Sequence, residues 1–511
     1  MEEFGSVIAV VIGILWYVLP LVLRARSRSQ QKTAAPRPAP TVDFQMIARA
    51  IDHGRKLGSA LADKTKTLRN RVKTALGPAK ILDEVLAQLS LEQDVAREAV
   101  ETSALSAEAG QFPSELPQIL GELEWQGFRL GAVEHMLDIR SNRVSGEMMA
   151  DADAIAASHL EPIASFCQRR DIAFPHRHPL CVPAVPGQEA VFFGLLPDGY
   201  PTVFVPSDFG DDLLRWPAVS HEVGHVIWRE LPGFAAELRQ VTGLRVDPTI
   251  PTSPRDFNLR KAYAAWLEEL FSDFFAVLQL GPPALRGMIH LFSGAPVGQA
   301  VWATTTQDGT HYEEHPPPHL RVTLAAHALW EMGYDVEAKD LMRQWTAKVG
   351  TPSTYGFPAL ITPPFGMPTD GVEAYGRKLV ERIYESQFLS IAGFPLPSIP
   401  GLAMTPGLWA HVRREVEALS EGDGHHDDPR VVISAAIEAR ATSKASSHRL
   451  ARTVTRAIVG IDEPRRRMRE EAESVAPEEA RNEVLEAMVL YQVLARGPRA
   501  RHRRSSRAAH L

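Results

Sequence analysis

The rhythm of apolar and polar positions changes several times along the chain. From Phe4 to Leu23 nearly every residue is apolar, and about 20 residues of helix match the hydrocarbon thickness of a bilayer. This predicts one transmembrane anchor over residues 1–26. The run opens Met-Glu-Glu and is followed by Arg24, Arg26 and Arg28, the reverse of a cleaved signal peptide, which carries its positive charge ahead of the apolar stretch. Those arginines place the bulk of the chain on the cytoplasmic side by the positive-inside rule. Residues 27–42, with Pro36, Pro38 and Pro40, read as an extended linker. Helical spacing then dominates residues 43–144. Its first part sets Lys56, Lys64, Lys66, Arg69, Arg71 and Lys73 against Ile47, Ile51, Leu57 and Leu61, while residues 80–108 are acidic and helical. The two stretches are expected to pair in a small bundle, with the basic face either solvated or laid on anionic lipid.

A helix from about Gly146 to Arg170 leads to Phe174-Pro-His176-Arg-His178-Pro-Leu-Cys181, a loop entering a strand. Glu189-Ala-Val-Phe-Phe-Gly194 and Thr202-Val-Phe-Val-Pro206 flank Pro197-Asp-Gly-Tyr200, which predicts a β-hairpin. Its edge is suited to pairing with an extended peptide. Pro217, then Val219, Val223 and Ile227, then Pro232-Gly233 delimit a helix with one buried side. A further apolar helical stretch runs through Trp266–Ala276 and is stopped by Gly281-Pro-Pro283, with another helix beginning near Ala284 and helical patterning over 322–348. Residues 351–495 combine Pro/Gly-rich loops with helices, one near Val372 to Gln387 and others starting at Thr405-Pro406 and Asp428-Pro429. The last stretch, 496–511, holds Arg496, Arg499, Arg501, Arg503, Arg504 and Arg507 and reads as a solvated basic tail. The pattern is that of an α+β, mostly helical protein with a small β-hairpin or sheet.

Composition narrows the functional classes. In 511 residues, 45% are hydrophobic and 23% charged, which suits a folded chain of several domains and excludes a disordered one. The net charge of -7 gives no case for specific nucleic-acid binding. Cys167 and Cys181 are the only cysteines, so a disulfide framework is excluded, a reducing compartment fits, and a single bridge stays open. No Walker-type phosphate loop or dinucleotide fingerprint occurs.

The chemistry concentrates at His221-Glu222-Val-Gly-His225. Residues four apart share one face of a helix, so His221 and His225 can present two imidazoles to one point while Glu222 flanks it. That is two thirds of a zinc site with a general base beside it. A catalytic zinc takes three protein ligands. A third histidine soon after His225 is ruled out, because Trp228 and Leu231 occupy those places. Glu269 and Asp273, four apart on the next apolar helix, can divide the work, one carboxylate on the metal and the other on a ligand imidazole.

H-E-x-x-H followed by a helical E-x-x-x-D, here Glu269-Leu-Phe-Ser-Asp273, resembles the gluzincin, thermolysin-like group of zinc metallopeptidases. The likeness covers about residues 190–325. It implies a zincin-like catalytic core within 145–350, Zn2+ on His221, His225 and Glu269, Glu222 as general base, and Asp273 as the partner of His221. Glu268 competes for the third ligand position, but the residue four further on is Ser272. His315-Pro-Pro-Pro-His319-Leu-Arg321 is similar to the H-P-P-x-x-x-R of membrane-associated gluzincins, the prenyl-protein-protease-like group among them. There a His or Arg can stabilise an oxyanion, His315 by preference, with His311, Tyr312, His319 and Arg321 as alternatives. The plainer alternative is a rigid proline loop in which Arg321 braces a helix.

The expectation is a membrane-anchored, cytoplasm-facing zinc endopeptidase acting on protein or peptide substrates. Its rivals are a membrane-tethered scaffold with a degenerate or structural metal fold, and a zinc hydrolase of a non-peptide amide. His176, His178 and Cys181 lack a fourth metal ligand, and His425-His426-Asp427-Asp428 sits among glycines, so both read as loops.

Overall fold

The computed structural model describes residues 44–73, 79–174, 179–184, 190–192, 196, 200–206, 209, 212–244, 253–294, 299–306, 311–358, 364–421, 426–442, 450 and 453–454. The expected anchor 1–26, the linker 27–42 and the basic tail lie outside them, as do His176, His178 and His425. No described helix is long and apolar enough to cross a membrane. Contacts divide the chain into residues 1–63 with 91–127, and residues 64–90 with 128–511.

In the first unit the opening part of α1 (Phe44–Val72) packs with the later part of α2 (Ala79–Glu108) and the start of α3 (Leu116–Ser141). Ile47, Ile51, Leu61, Val100, Ala104, Leu116 and Leu123 are buried there. Each such side chain is worth about 1.5–3 kcal/mol when fully removed from water. The guanidinium of Arg55 meets the Glu101 carboxylate in two parallel bonds of 2.8 and 2.5 Å. Being exposed, this pair sets register more than stability.

The second unit is mostly helical. Arg69 reaches Asp83 at 3.0 Å, and Lys64 and Arg71 reach Glu134 and Asp138. The basic and acidic stretches therefore pair as expected. After α4 (Arg143–Arg169) comes a three-stranded sheet in which β3 (Thr202–Pro206) is the middle strand. β2 (Ala190–Phe192) runs antiparallel to it, Ala190 opposite Phe204, and this is the expected hairpin. β1 (Leu180–Ala184) runs parallel to it, Leu180 opposite Thr202, and Arg140 fastens the strand by donating to the Cys181 carbonyl at 2.9 Å. Both cysteines are free and buried, so the bridge left open by the sequence does not form.

The centre of this unit is α7 (Pro254–Leu280). Ser253 Oγ accepts from the Asp256 amide at 3.1 Å and Pro254 occupies the first turn, while Gly281 ends the helix at φ 67, a conformation that suits glycine. Trp266, Phe271, Phe275, Val277 and Leu278 are buried on several sides of it, as expected of a helix surrounded by others. Against it pack α5 (Pro217–Glu230), α6 (Phe234–Val241), α8 (Pro282–Phe292), α9 (Pro318–Glu331) and α11 (Thr369–Glu385). α10 (Asp335–Val349), α12 (Pro406–Glu421) and α13 (Pro429–Thr442) complete the helical set. Thr405 and Asp428 cap the last two by accepting from Leu408 and Arg430 amides at 3.3 and 3.0 Å, as the sequence predicts. The Pro/Gly-rich stretch also contains an unexpected antiparallel pair, β4 (Thr354–Phe357) and β5 (Phe365–Pro368). A Cβ at Gly356 would lie 2.6 Å from the Trp302 ring, so only glycine fits that strand position.

Candidate metal centre

Two helices build the site. α5 starts with Pro217 at its first position, where no amide hydrogen is needed, and ends at Leu231 before Pro232. Val219, Val223, Val226, Ile227 and Trp228 bury it deeply, so the face bearing His221, Glu222 and His225 is fixed by packing on the other sides. α7 brings Glu268, Glu269 and Asp273 to meet it.

His221 Nε2 and His225 Nε2 lie 3.2 Å apart. Glu269 Oε2 is 3.4 Å from the first and Glu269 Oε1 is 3.2 Å from the second. One ligand atom from each of the three lies within 4.8 Å of the others. Bonds of about 2.0–2.2 Å in a tetrahedron set neighbouring ligand atoms about 3.3–3.6 Å apart, so the three groups can hold one metal ion with little movement.

Each imidazole has a carboxylate behind it. His221 Nδ1 is 2.9 Å from Asp273 Oδ1, and His225 Nδ1 is 3.0 Å from Glu268 Oε1. With His225 Nδ1–H bonded to Glu268, its Nε2 lone pair faces the ligand point; His221 Nδ1 approaches Asp273 as closely but outside hydrogen-bond geometry. Glu268 is thus the brace of His225. Arg229 holds it in turn through Nε at 3.0 Å. Arg321 donates through Nε and Nη2 to both oxygens of Asp273 at 2.7 Å, and its Nη1 stands 3.4 Å from Glu269 Oε2. Its nitrogens face carboxylates of α7, so it ties α9 to that helix.

Charge and burial make the same point. Glu222, Glu269 and Asp273 are buried, with exposures of 5%, 4% and 4%, and unpaired charges are costly in such surroundings. Four carboxylates, those of Glu222, Glu268, Glu269 and Asp273, face the two guanidiniums of Arg229 and Arg321. With neutral imidazoles this leaves two negative charges, the complement of a divalent cation. Glu222 Oε2 and Glu269 Oε2 are buried without a hydrogen-bond partner. Burial lowers the proton affinity of His225, but Glu268 and Glu269 outweigh it and raise this imidazole to about 10; His221 is raised in the same way by Asp273 and Glu269. Burial raises Glu269, yet the two imidazoles hold it below the ordinary carboxylate range. Glu222 behaves oppositely, raised by burial against the pull of His221 and His225.

The three groups open onto a cleft of about 450 Å3. Leu214, Pro217, Met288, Leu291 and Phe292 form its apolar wall, and His315 lies at its edge, 66% exposed, with Nε2 3.6 Å from Glu269 Oε1. Of the other groups weighed beside His315, Arg321 also lines the cleft, with its nitrogens turned to Asp273 and Glu269, and the rest fall elsewhere. His319 Nδ1 accepts from Trp345 Nε1 at 2.9 Å, Tyr312 packs against Trp266 and Phe357, and His311 is exposed outside the cleft lining. No described sheet residue lines the cleft, so the expected pairing of a substrate along the hairpin edge finds no support in its walls. Cys181 is buried in β1, and His426 Nε2 rests 3.2 Å from His411 Nδ1.

Sequence reasoning missed the brace on His225. Its signal is the adjacent pair Glu268-Glu269, about 100° apart around a helix and thus able to face the two ends of one imidazole. No protein-family model, curated protein or solved structure matches the chain.

Proposed function

We propose that the chain is a zinc-dependent endopeptidase with a zincin-like core. The observation that carries this reading is the convergence of His221, His225 and Glu269 on one point, with Glu222 beside it and an open cleft in front. Zinc held there supplies a Lewis acid that polarises the scissile carbonyl and makes water more acidic. His221, His225 and Glu269 hold the ion, and Asp273 and Glu268 fix the two imidazoles. Glu222 takes a proton from the attacking water and returns it to the leaving nitrogen, so the C–N bond is replaced by C–O and the proton count closes. A carboxyl raised by burial is suited to that exchange near neutrality. His315, on the loop before α9, donates to the carbonyl oxygen as negative charge develops there. Its exposure leaves the ring free to turn toward a substrate.

The apolar run from Phe4 to Leu23, followed by arginines, supports a membrane-anchored enzyme whose bulk faces the cytoplasm. The test is to purify the full chain, measure its zinc, and digest a complex peptide mixture with it. One zinc per chain in the tight site and new internal cleavages that disappear in His225→Ala agree with the proposal. A stable zinc-free chain that cleaves nothing when zinc is added contradicts it and favours a scaffold.

A further inference from the structure

A second group of metal-binding side chains lies on α9 and α11, away from the cleft. His327 and Glu331 are one turn apart on α9, so both point from the same face. Glu381 comes from α11, which packs alongside. His327 Nε2 is 3.2 Å from Glu381 Oε1 and 3.6 Å from Glu331 Oε1. These separations match those within the first site and those that about 2.0–2.2 Å metal bonds impose.

Hydrogen bonding alone accounts for this arrangement poorly. An imidazole Nε2 carries one proton and can satisfy one carboxylate, but two converge on it. Among the described residues neither Glu331 nor Glu381 has a lysine or arginine partner. His327 is itself only 9% exposed, so its imidazole is held in place with Nε2 toward both carboxylates. A cation among the three ligand atoms satisfies both carboxylates at once.

We propose that His327, Glu331 and Glu381 bind a second zinc ion, which staples α9 to α11. One imidazole with two carboxylates suits zinc, whereas an all-oxygen shell suits magnesium or calcium. The ligands differ from those of the cleft in two respects. Glu331 and Glu381 are 28% and 43% exposed, and no further carboxylate among the described residues braces the imidazole, so binding is weaker by about 10–100-fold. The ion is structural, and it steadies the helix that also carries Arg321.

The test uses the full chain, stripped with a chelator and titrated with zinc alone in equilibrium dialysis. Two equivalents are expected, the second about 10–100-fold weaker than the first. Glu331→Gln with Glu381→Gln, isosteric changes at part-exposed positions, removes the weaker equivalent and keeps the tight one. His225→Ala removes the tight one and keeps the weaker, which separates this site from the cleft. Thermal unfolding should rise with the second equivalent in the wild type and not in the double variant. An unchanged zinc isotherm for Glu331→Gln/Glu381→Gln, or a single equivalent in the wild type at saturating zinc, overturns the proposal.

Discussion

Gly224 on α5 lies against Ser272 on α7 so closely that a Cβ at position 224 would stand 2.8 Å from the Ser272 Cα. Backbone blocks backbone there, so nothing flexible can yield. The contact is flanked by His221 and His225 on one helix and by Glu269 and Asp273 on the other. The glycine within His221-Glu222-Val-Gly-His225 therefore sets the distance at which His221, His225 and Glu269 meet.

Gly224→Ala is expected to destabilise the fold by roughly 1–3 kcal/mol through overpacking and to weaken zinc binding by parting the helices. Gly131→Ala, where an added Cβ meets nothing within 4 Å, should leave zinc binding unchanged and raise stability slightly through helix propensity. Urea denaturation and chelator competition on the two variants measure both effects. Equal zinc affinity in Gly224→Ala would show that the spacing is not limiting.

Asp273 joins His221 to Arg321, and its loss acts on the metal. Asp273→Asn should lower zinc affinity by about 10–100-fold, and Glu268→Gln should act similarly through His225. Arg321→Met leaves the 4% exposed Asp273 without its cation and should cost about 3–5 kcal/mol of stability. Competition with a zinc chelator and equilibrium denaturation distinguish the two kinds of loss.

His315→Ala should lower kcat roughly 100-fold while zinc content and stability stay as in the wild type. The residue is largely exposed and ligates nothing in the proposed site. Steady-state kinetics on any peptide that the wild-type chain is found to cleave provide the check.

Stability should fall in mild acid for a reason unrelated to the cleft. Burial lowers His159 to about 4, and it does the same for His319, whose Nδ1 accepts from Trp345. Both are neutral in the fold, while the unfolded chain takes up protons near 6.5. Their contribution is therefore complete above about 6.5 and is lost as the pH falls toward 4. Each tenfold change in proton affinity corresponds to about 1.4 kcal/mol, so His159 contributes about 3 kcal/mol. In His159→Gln the acid limb of a stability-against-pH curve should move to lower pH, measured by thermal unfolding between about pH 4 and 8.

Much of the site was legible because a helical period of 3.6 residues ties spacing to direction. His221 and His225 share a face for that reason, as do Glu269 and Asp273, and their meeting follows once both helices are buried. The stop signals Pro232 and Gly281 and the start signal Thr405-Pro406 likewise placed helix ends, since each acts through its own backbone. Relations between distant segments were harder to read. The Nδ1 of His225 chose Glu268 across 43 positions, and Arg321 chose Asp273 across 48. The strand entered near Cys181 was readable but its parallel pairing with β3 was not, and the β4–β5 pair was obscured by glycines, of which Gly356 serves close packing under Trp302.

The central claim is that Glu222 moves a proton while three other side chains hold the metal. Peptide hydrolysis by Glu222→Gln, measured on protein whose zinc content has been matched to the wild type, tests it most directly. The account predicts unchanged zinc and a kcat lower by about 10²–10⁴-fold. Wild-type turnover by that variant at equal zinc would contradict it.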